Sequence, residues 1–198
     1  MSKAHNGRQT LAERVVAARS KSYVLDLAAL GEDSGVPIAS LHELCYEKNP
    51  TVAFRAAWIL EYLAARDHQR FLKVFDDFMD RLPQQRNPSC QRHFTKILMN
   101  ITHPKAPPAY QEAYRQTDRE RLVETVFGWL IDPATPVAVQ VNCMDILFNM
   151  RREFPWITDE LKQQIRFFLR DGSPAMQSRG KRILENLNRS EPKVDPHG

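Results

Sequence analysis

Glycine is scarce in this sequence: only 7 of the 198 residues are glycine. Glycine supplies the positive-φ positions that tight turns between strands require. Its scarcity therefore argues against β-sandwiches, β-barrels and glycine-rich phosphate-binding loops. In agreement, the sequence contains no Walker A, GxGxxG or GxSxG motif.

Cysteine and long apolar runs are also rare. The three cysteines, Cys45, Cys90 and Cys143, are widely separated and form no CxxC pair. With no signal peptide in view, this cysteine usage indicates a reducing, cytoplasmic compartment. The apolar runs are only a few residues long, so we expect no membrane-spanning segment.

Catalytic and metal-binding motifs are missing as well. The 6 histidines include no HExxH motif, and no His/Cys cluster has the spacing of a zinc site. His93 and Cys90 would share one helix turn, an arrangement that is usually structural. Asp76, Asp77 and Asp80 fit the solvated side of a helix. We expect no catalytic residues, no metal and no small-molecule cofactor, while an active site assembled from distant residues stays an open alternative.

Charge is unevenly distributed. The net charge is only +4, from 28 Lys+Arg and 24 Asp+Glu. However, residues 81–111 contain five basic residues and no acidic one, and residues 162–189 contain seven basic residues against two acidic ones. These local basic zones are compatible with nucleic acid but do not require it. The 42% hydrophobic share predicts one folded domain over residues 1–198, with flexible tails at 1–8 and 189–198.

A helix-start signal recurs four times along the chain. Each occurrence is a good N-cap residue followed by proline, which fits the first helical position. The prolines are separated by 38, 48 and 38 residues, and an Ile-Leu pair follows each of them nine to eleven positions on. The four starts are Asn49-Pro50, Asn87-Pro88, Thr135-Pro136 and Ser173-Pro174. The sequence therefore contains an internal repeat.

Apolar residues at helical spacing predict two helices, A and then B, in each repeat. The A helices are predicted near 38–47, 68–82, 118–131 and 157–170, and the B helices near 50–65, 88–101, 136–152 and 174–187. A pair near 10–20 and 22–30 would cap the array. The repeats then lie near 36–66, 67–102, 117–152 and 156–188.

Three further predictions concern local structure. Capping boxes are predicted at Thr10/Glu13, Ser40/Glu43 and Thr117/Glu120. Residues 137–141 alternate like a strand, but their repeat context favours a helix. The Pro-rich segment 102–116 explains the longer spacing, and it is either a functional connection or a plain insertion.

Helix pairs that recur about every 40 residues match the period of HEAT and armadillo arrays. Residues 55–60 and 179–184 resemble HEAT repeats in particular, because an arginine precedes small and aliphatic positions. The second and third repeats depart from this pattern, with His93 and Asn142 at the arginine position. The resemblance covers residues 36–188 and implies a small bacterial-type member of this family. It implies an all-α fold, a right-handed superhelix of about four helix pairs, with the B helices on its concave side.

Alignment of the B helices on Ile59, Ile97, Ile146 and Ile183 yields three columns of mostly polar residues beside the apolar stripe. We call these the polar columns. They are Arg55, His93, Asn142 and Arg179; Trp58, Lys96, Asp145 and Arg182; and Tyr62, Asn100, Asn149 and Asn186. They are the candidate partner-binding residues, suited to an acidic peptide, a carboxylate-rich helix or a phosphate backbone.

Structural roles compete with binding at several of these positions. Arg55 and Arg179 are expected to pair with acidic residues of a neighbouring repeat. Trp58 is expected to pack against an adjacent helix rather than contact a ligand. Trp129 and Trp156 are expected in the core or between repeats.

The sequence favours a non-catalytic scaffold that binds a protein or an acidic peptide. The alternative is nucleic-acid binding, in which Arg55, Trp58 and Tyr62 would suit base stacking. HEAT-like alkylpurine DNA glycosylases use a basic concave face with Trp and Asp, and Trp58, Asp145, Arg179 and Arg182 could supply those residue types. A lyase or maturation factor that acts on another protein is a third class. Fold resemblance alone does not separate these functions.

Overall fold

The computed structural model describes residues 10–30 and 36–190, and within these ranges all regular secondary structure is helical. The predicted all-α fold is confirmed. The helices are α1 (Leu11–Ala17), α2 (Lys21–Ala29), α3 (Ile38–Leu44), α4 (Pro50–Arg66), α5 (His68–Leu72), α6 (Phe75–Arg81), α7 (Pro88–Thr102), α8 (Pro108–Arg115), α9 (Arg119–Ile131), α10 (Val137–Met150), α11 (Trp156–Asp171) and α12 (Pro174–Ser190). A 3-10 turn, Leu82–Gln84, follows α6.

The chain divides into two compact units, residues 1–97 and 98–198, with the boundary inside α7. In the first unit, α4 packs against α1, α2 and α3. In the second unit, α10 packs against α9, α11 and α12. The predicted tail at 1–8 lies outside the described residues, as does 191–198, while Arg189 and Ser190 belong to α12.

Three of the four predicted helix starts are confirmed. Asn49 Oδ1 accepts the N–H groups of Thr51 and Val52 at 3.0 and 3.4 Å. Asn87 Oδ1 accepts from the Ser89 N–H at 3.0 Å. Ser173 Oγ accepts from the Met176 N–H at 3.4 Å. Each side chain thereby satisfies a backbone donor that has no partner within its helix.

The fourth predicted start is wrong by one residue. Pro136 is the N-cap of α10 and makes no side-chain cap. The Thr135 N–H instead donates to the Asp132 carbonyl at 3.0 Å, and Asp132 Oδ1 accepts from the Ala134 N–H. Thr135 is therefore the buried last residue of a β-turn that begins at Asp132, and it is not a helix cap. The helix predicted over 137–141 is confirmed.

The capping box at Thr10/Glu13 is confirmed, with both reciprocal hydrogen bonds formed. The box at Ser40 is wrong because α3 begins two residues earlier, after Pro37. The box at Thr117 is also wrong: Asp118 caps α9, and the Thr117 hydroxyl donates to the Ala113 carbonyl of α8 at 3.3 Å.

Two predicted segments differ from the structure. The A helix expected over 68–82 is divided into α5 and α6, because the Lys73 and Val74 N–H groups bond three residues back, to Arg70 and Phe71. Such bonds tighten and end a helix. The 102–116 connection contains α8, which starts at Pro108 and buries Tyr110.

The apolar columns of the B helices form the core of each unit. Ile59, Ile97, Ile146 and Ile183 are all buried, as are Leu63, Ile101, Met150 and Leu187. In the first unit Phe78 and Phe94 add an aromatic contact, with ring centroids 4.8 Å apart. This packing holds the neighbouring polar positions of the B helices at fixed spacing.

Candidate functional site

In the first unit, a carboxylate of α4 lies between two basic residues of α7. Glu61 Oε2 accepts a hydrogen bond from His93 Nδ1 at 2.5 Å, and Lys96 Nζ donates to Glu61 Oε1 at 3.0 Å. His93 is buried, the Glu61 side chain is 15% exposed and the Lys96 side chain is 42% exposed. We call these three residues the first acid–base cluster.

The electrostatics of this cluster favour an ionised Glu61. Burial disfavours the charged carboxylate, but the hydrogen bonds from His93 and Lys96 outweigh it and lower the pKa of Glu61. Glu61 therefore stays charged at neutral pH and holds the Lys96 ammonium at the surface.

The second unit repeats the arrangement with other residue types. Asp145 of α10 accepts hydrogen bonds from Arg179 and from Arg182 of α12, the latter from Nη2 at 3.4 Å. Burial raises the pKa of Asp145, and the charges of the two arginines oppose that rise. Arg182 is the more exposed base, with 59% of its side chain accessible. These residues form the second acid–base cluster.

The bases of the two clusters occupy equivalent positions of the internal repeat. His93 and Lys96 lie four and one residues before Ile97, and Arg179 and Arg182 lie four and one residues before Ile183. In both units, an acid of the preceding B helix contacts this pair of bases. The sequence identified every member except Glu61, which lies outside the polar columns. Its position three residues after Trp58, on the same helix side, is the signal that could have found it.

The ion pairs predicted for Arg55 and Arg179 have different outcomes. The predicted pairing of Arg179 with an acid of the preceding repeat is confirmed. The prediction of a carboxylate partner for Arg55 is wrong, since the Arg55 guanidinium donates to the Val16 carbonyl near the end of α1. Carbonyl groups at a helix C-terminus lack intrahelical partners and carry partial negative charge.

Aromatic side chains extend the first cluster. Trp58 is half-buried and stacks on both Phe54 and His93, with ring centroids at 5.8 and 6.3 Å and interplanar angles of 28° and 20°. Lys21 Nζ lies 6.0 Å from the ring centroid of Tyr62. Trp58 therefore packs on an adjacent helix, as expected, while part of its surface remains accessible.

The asparagines of the polar columns differ in their environments. Asn149 Nδ2 donates to Thr102 Oγ1 at 3.1 Å, Asn100 is exposed, and Asn142 and Asn186 are half-buried. The other tryptophans also differ from each other. Trp129 is buried as expected, but Trp156 is 45% exposed and packs on Phe127 of α9 with ring centroids 5.3 Å apart.

A buried histidine that the sequence did not single out lies in the first unit. His42 Nδ1 is 2.8 Å from Asp77 Oδ2, and its Nε2 is buried without a hydrogen-bond partner. Burial lowers the pKa of His42, although the Asp77 carboxylate opposes the effect. The prediction that Asp77 is simply solvated is wrong in this respect, because its carboxylate bonds to a core side chain.

The described residues contain no group of three or more His, Cys, Asp and Glu side chains that could hold a metal ion. The cysteines Cys45, Cys90 and Cys143 are buried and unbridged. Burial raises the pKa of Cys90 to about 12, so its thiol is protonated and a poor nucleophile at neutral pH.

The comparison with protein families decides the classification. The family model described as HEAT repeat domain matches residues 11–187. The chain belongs to the HEAT repeat family. The HEAT match begins at α1, so it also includes the helix pair that the sequence assigned to a cap. HEAT repeats form helical scaffolds that typically mediate protein interactions. A search of curated proteins finds no match.

Within the described ranges, none of the helices of this HEAT repeat protein is both long and apolar enough to cross a bilayer.

Proposed function

We propose that this HEAT repeat protein is a non-catalytic scaffold that binds acidic segments of a protein partner through the acid–base clusters of its B helices. The observation that carries the proposal is the recurrence of an exposed cation at the same helical position in both units. Lys96 and Arg182 each lie one residue before the aligned isoleucine, and each is oriented by a half-buried carboxylate.

Anchoring a cation in this way favours recognition of a carboxylate. A flexible lysine or arginine loses side-chain entropy when it binds, whereas a base already oriented by Glu61 or Asp145 loses less. Lys96 has three donors and Arg182 has five, so both retain N–H groups for a partner after the internal hydrogen bond. The accessible surface of Trp58 supplies an apolar contact beside the first cluster.

The ion pairs within the clusters also affect whether nucleic acid or an acidic peptide is the favoured partner. Strong phosphate binding depends on Lys and Arg charge that the protein itself does not neutralise. In the two clusters Lys96 shares Glu61, and Arg179 and Arg182 share Asp145. Binding of a nucleic acid neutralises many phosphates at once and needs more uncompensated charge than these clusters offer, whereas a short acidic segment needs only one or two oriented bases, which supports the acidic peptide over the nucleic acid. The concave side of the B helices remains a prediction.

Fluorescence anisotropy tests the proposal with a short labelled peptide rich in Glu and Asp. Charge reversal at Lys96 would place a second carboxylate beside Glu61 and destabilise the fold, so the test uses the neutral double variant Lys96→Gln/Arg182→Gln. We expect it to weaken peptide binding about tenfold or more, since two charge-assisted hydrogen bonds are lost.

The matched control is Arg92→Gln/Lys181→Gln, which removes the same charge from exposed positions of α7 and α12 outside the polar columns. Equal weakening by both double variants, or no peptide binding by the wild type at low salt, would contradict the proposal. A labelled single-stranded oligonucleotide, titrated over a salt series, provides the competing test. Tighter, steeply salt-dependent binding of that probe would replace the peptide with nucleic acid.

A further inference from the structure

A pocket of about 580 Å³ in the second unit is lined in part by the 102–116 connection. Residues 101–104 form one part of its lining, α8 contributes Gln111, Tyr114 and Arg115, and residues 149–153 at the end of α10 contribute most of the remainder. Its only member from the polar columns is Asn149, so the pocket is separate from the acid–base clusters.

The lining is rich in positive charge. It contains four arginines and a single carboxylate, Glu153. Glu153 is 3.5 Å from Arg119 Nη1, and Arg115 pairs with Glu112, which lies outside the lining. Among the described residues no carboxylate forms a salt bridge with Arg151 or Arg152. The adjacent pair therefore presents two positive charges without an internal counter-charge.

Contacts with Phe148 hold the Arg151 side chain in place, although no carboxylate of the described residues neutralises its charge. Its Nη1 donates to the Phe148 carbonyl at 2.6 Å, and its guanidinium carbon is 3.9 Å from the Phe148 ring centroid. Burial and the neighbouring charge of Arg152 both lower the pKa of Arg151. Such repulsion between like charges is relieved when an anion binds between or beside them.

His103 adds a hydrogen-bond donor to the same pocket. The Lys105 backbone N–H donates to His103 Nδ1 at 3.0 Å, so in the neutral ring Nδ1 is the acceptor and Nε2 carries the hydrogen. Glu153 is the only carboxylate in the pocket lining, and it already accepts a hydrogen bond from the Tyr114 hydroxyl at 2.9 Å. The arginines and His103 of the lining therefore present hydrogen-bond donors to the pocket.

We propose that this pocket binds the phosphate group of a small molecule, with Arg151 and Arg152 as the principal ligands and His103 as an additional donor. Planar guanidinium groups bind phosphate oxygens through paired N–H donors, and two uncompensated arginines match a dianion better than a monoanionic carboxylate. The cavity volume is typical of small-molecule sites. Pro104 and Ile101 supply an apolar wall for the remainder of a phosphate ester.

The test is an NMR titration of the full-length ¹⁵N-labelled chain with inorganic phosphate and, separately, with adenosine 5′-monophosphate, against chloride at matched ionic strength. We expect both phosphates to shift the amide signals of residues 101–104 and 149–153 with saturation, whereas adenosine alone does not. Tighter binding of the nucleotide than of inorganic phosphate identifies an ester ligand, and equal affinity identifies free phosphate. Absence of phosphate-specific shifts at these amides overturns the proposal.

Arg152→Gln is the informative variant because Arg152 is exposed and pairs with no carboxylate of the described residues, so the fold should be unaffected. It should weaken inorganic phosphate binding about tenfold. Arg166→Gln, an exposed arginine of α11 outside the lining, is the matched control and should leave the affinity unchanged. Equal weakening by the two variants would show a nonspecific effect of net charge and would also overturn the site.

Discussion

Glu61 is the residue on which the first acid–base cluster depends, since it is the shared acceptor of His93 and Lys96. With a side chain only 15% exposed, the carboxylate has little access to water that could replace either partner. Removal of its charge leaves a buried imidazole and an ammonium without their acceptor, and buried groups that lose a partner are costly.

We therefore expect Glu61→Gln to lower the free energy of unfolding by about 1–3 kcal/mol in urea denaturation. The control is Glu185→Gln, which breaks the exposed pair with Arg189 of the same helix and should change stability by less than about 0.5 kcal/mol. A Glu61→Gln protein as stable as the control variant would show that the cluster contributes nothing to the fold.

His42 makes stability depend on pH. Its pKa in the folded state lies below the ordinary value of 6.5, because burial disfavours the charged ring. Below pH 6.5 the unfolded chain takes up a proton that the folded chain resists, so stability is full above this pH and is lost as the pH falls. Asp77 and Glu43 oppose the shift, and Arg81 adds to it.

The expected slope from this one residue is at most about 1.4 kcal/mol per pH unit between pH 6.5 and the folded pKa. Urea denaturation at pH 7.5 and pH 5.5 measures it. The comparison is made with His42→Phe, which removes the titrating group and suits the surrounding rings of Tyr46, Phe78 and Phe94. If the variant retains the full acid sensitivity, His42 is not its source.

At the scale of helices, substitution of two helical glycines would distinguish the effect of helix propensity on stability from the effect of packing. Gly128 in α9 is exposed, and a Cβ there would meet no atom within 4 Å. Gly180 in α12 is buried, and a Cβ there would lie 2.8 Å from Ile165 Cγ2 of α11. The isoleucine is β-branched and stiff, so it yields poorly to such a contact.

Gly128→Ala should therefore raise the free energy of unfolding by about 0.5–1 kcal/mol, the usual gain in helix propensity. Gly180→Ala has the same gain, but overpacking costs about 1–3 kcal/mol and should make the variant less stable than the wild type. Chemical denaturation of both variants gives the difference. A Gly180→Ala protein stabilised as much as Gly128→Ala would show that α11 and α12 do not pack this closely.

Local hydrogen bonds at the helix ends explain which helix boundaries could be predicted from the sequence. Asn49, Asn87 and Ser173 cap their helices through bonds to residues two or three positions away, so a short sequence window contains the whole interaction. At Thr135 the same signal failed because the β-turn that begins at Asp132 competes for the backbone. The division of α5 from α6 was also missed, since Phe71 and Phe75 keep their apolar spacing across the break.

For the whole molecule, the internal repeat was visible in the sequence and agrees with the HEAT family match. The repeat also fixed which positions of α7 and α12 carry the bases. What it did not show is that each pair of bases meets an acid of the preceding B helix. The polar columns were therefore predicted as an open binding surface, whereas most of their basic and acidic residues are paired internally.

The sequence by itself determined the helical class, the four-fold repeat, most helix starts and the buried isoleucine column, because these depend on bonds and periodicities within a few residues. Only the tertiary structure decided the charge pairing and the pocket. Glu61 and His93 are 32 residues apart in the chain, and Asp145 and Arg179 are 34 apart. Such contacts depend on how two helices are placed against each other, a placement set by the packing of the whole core rather than by any local pattern.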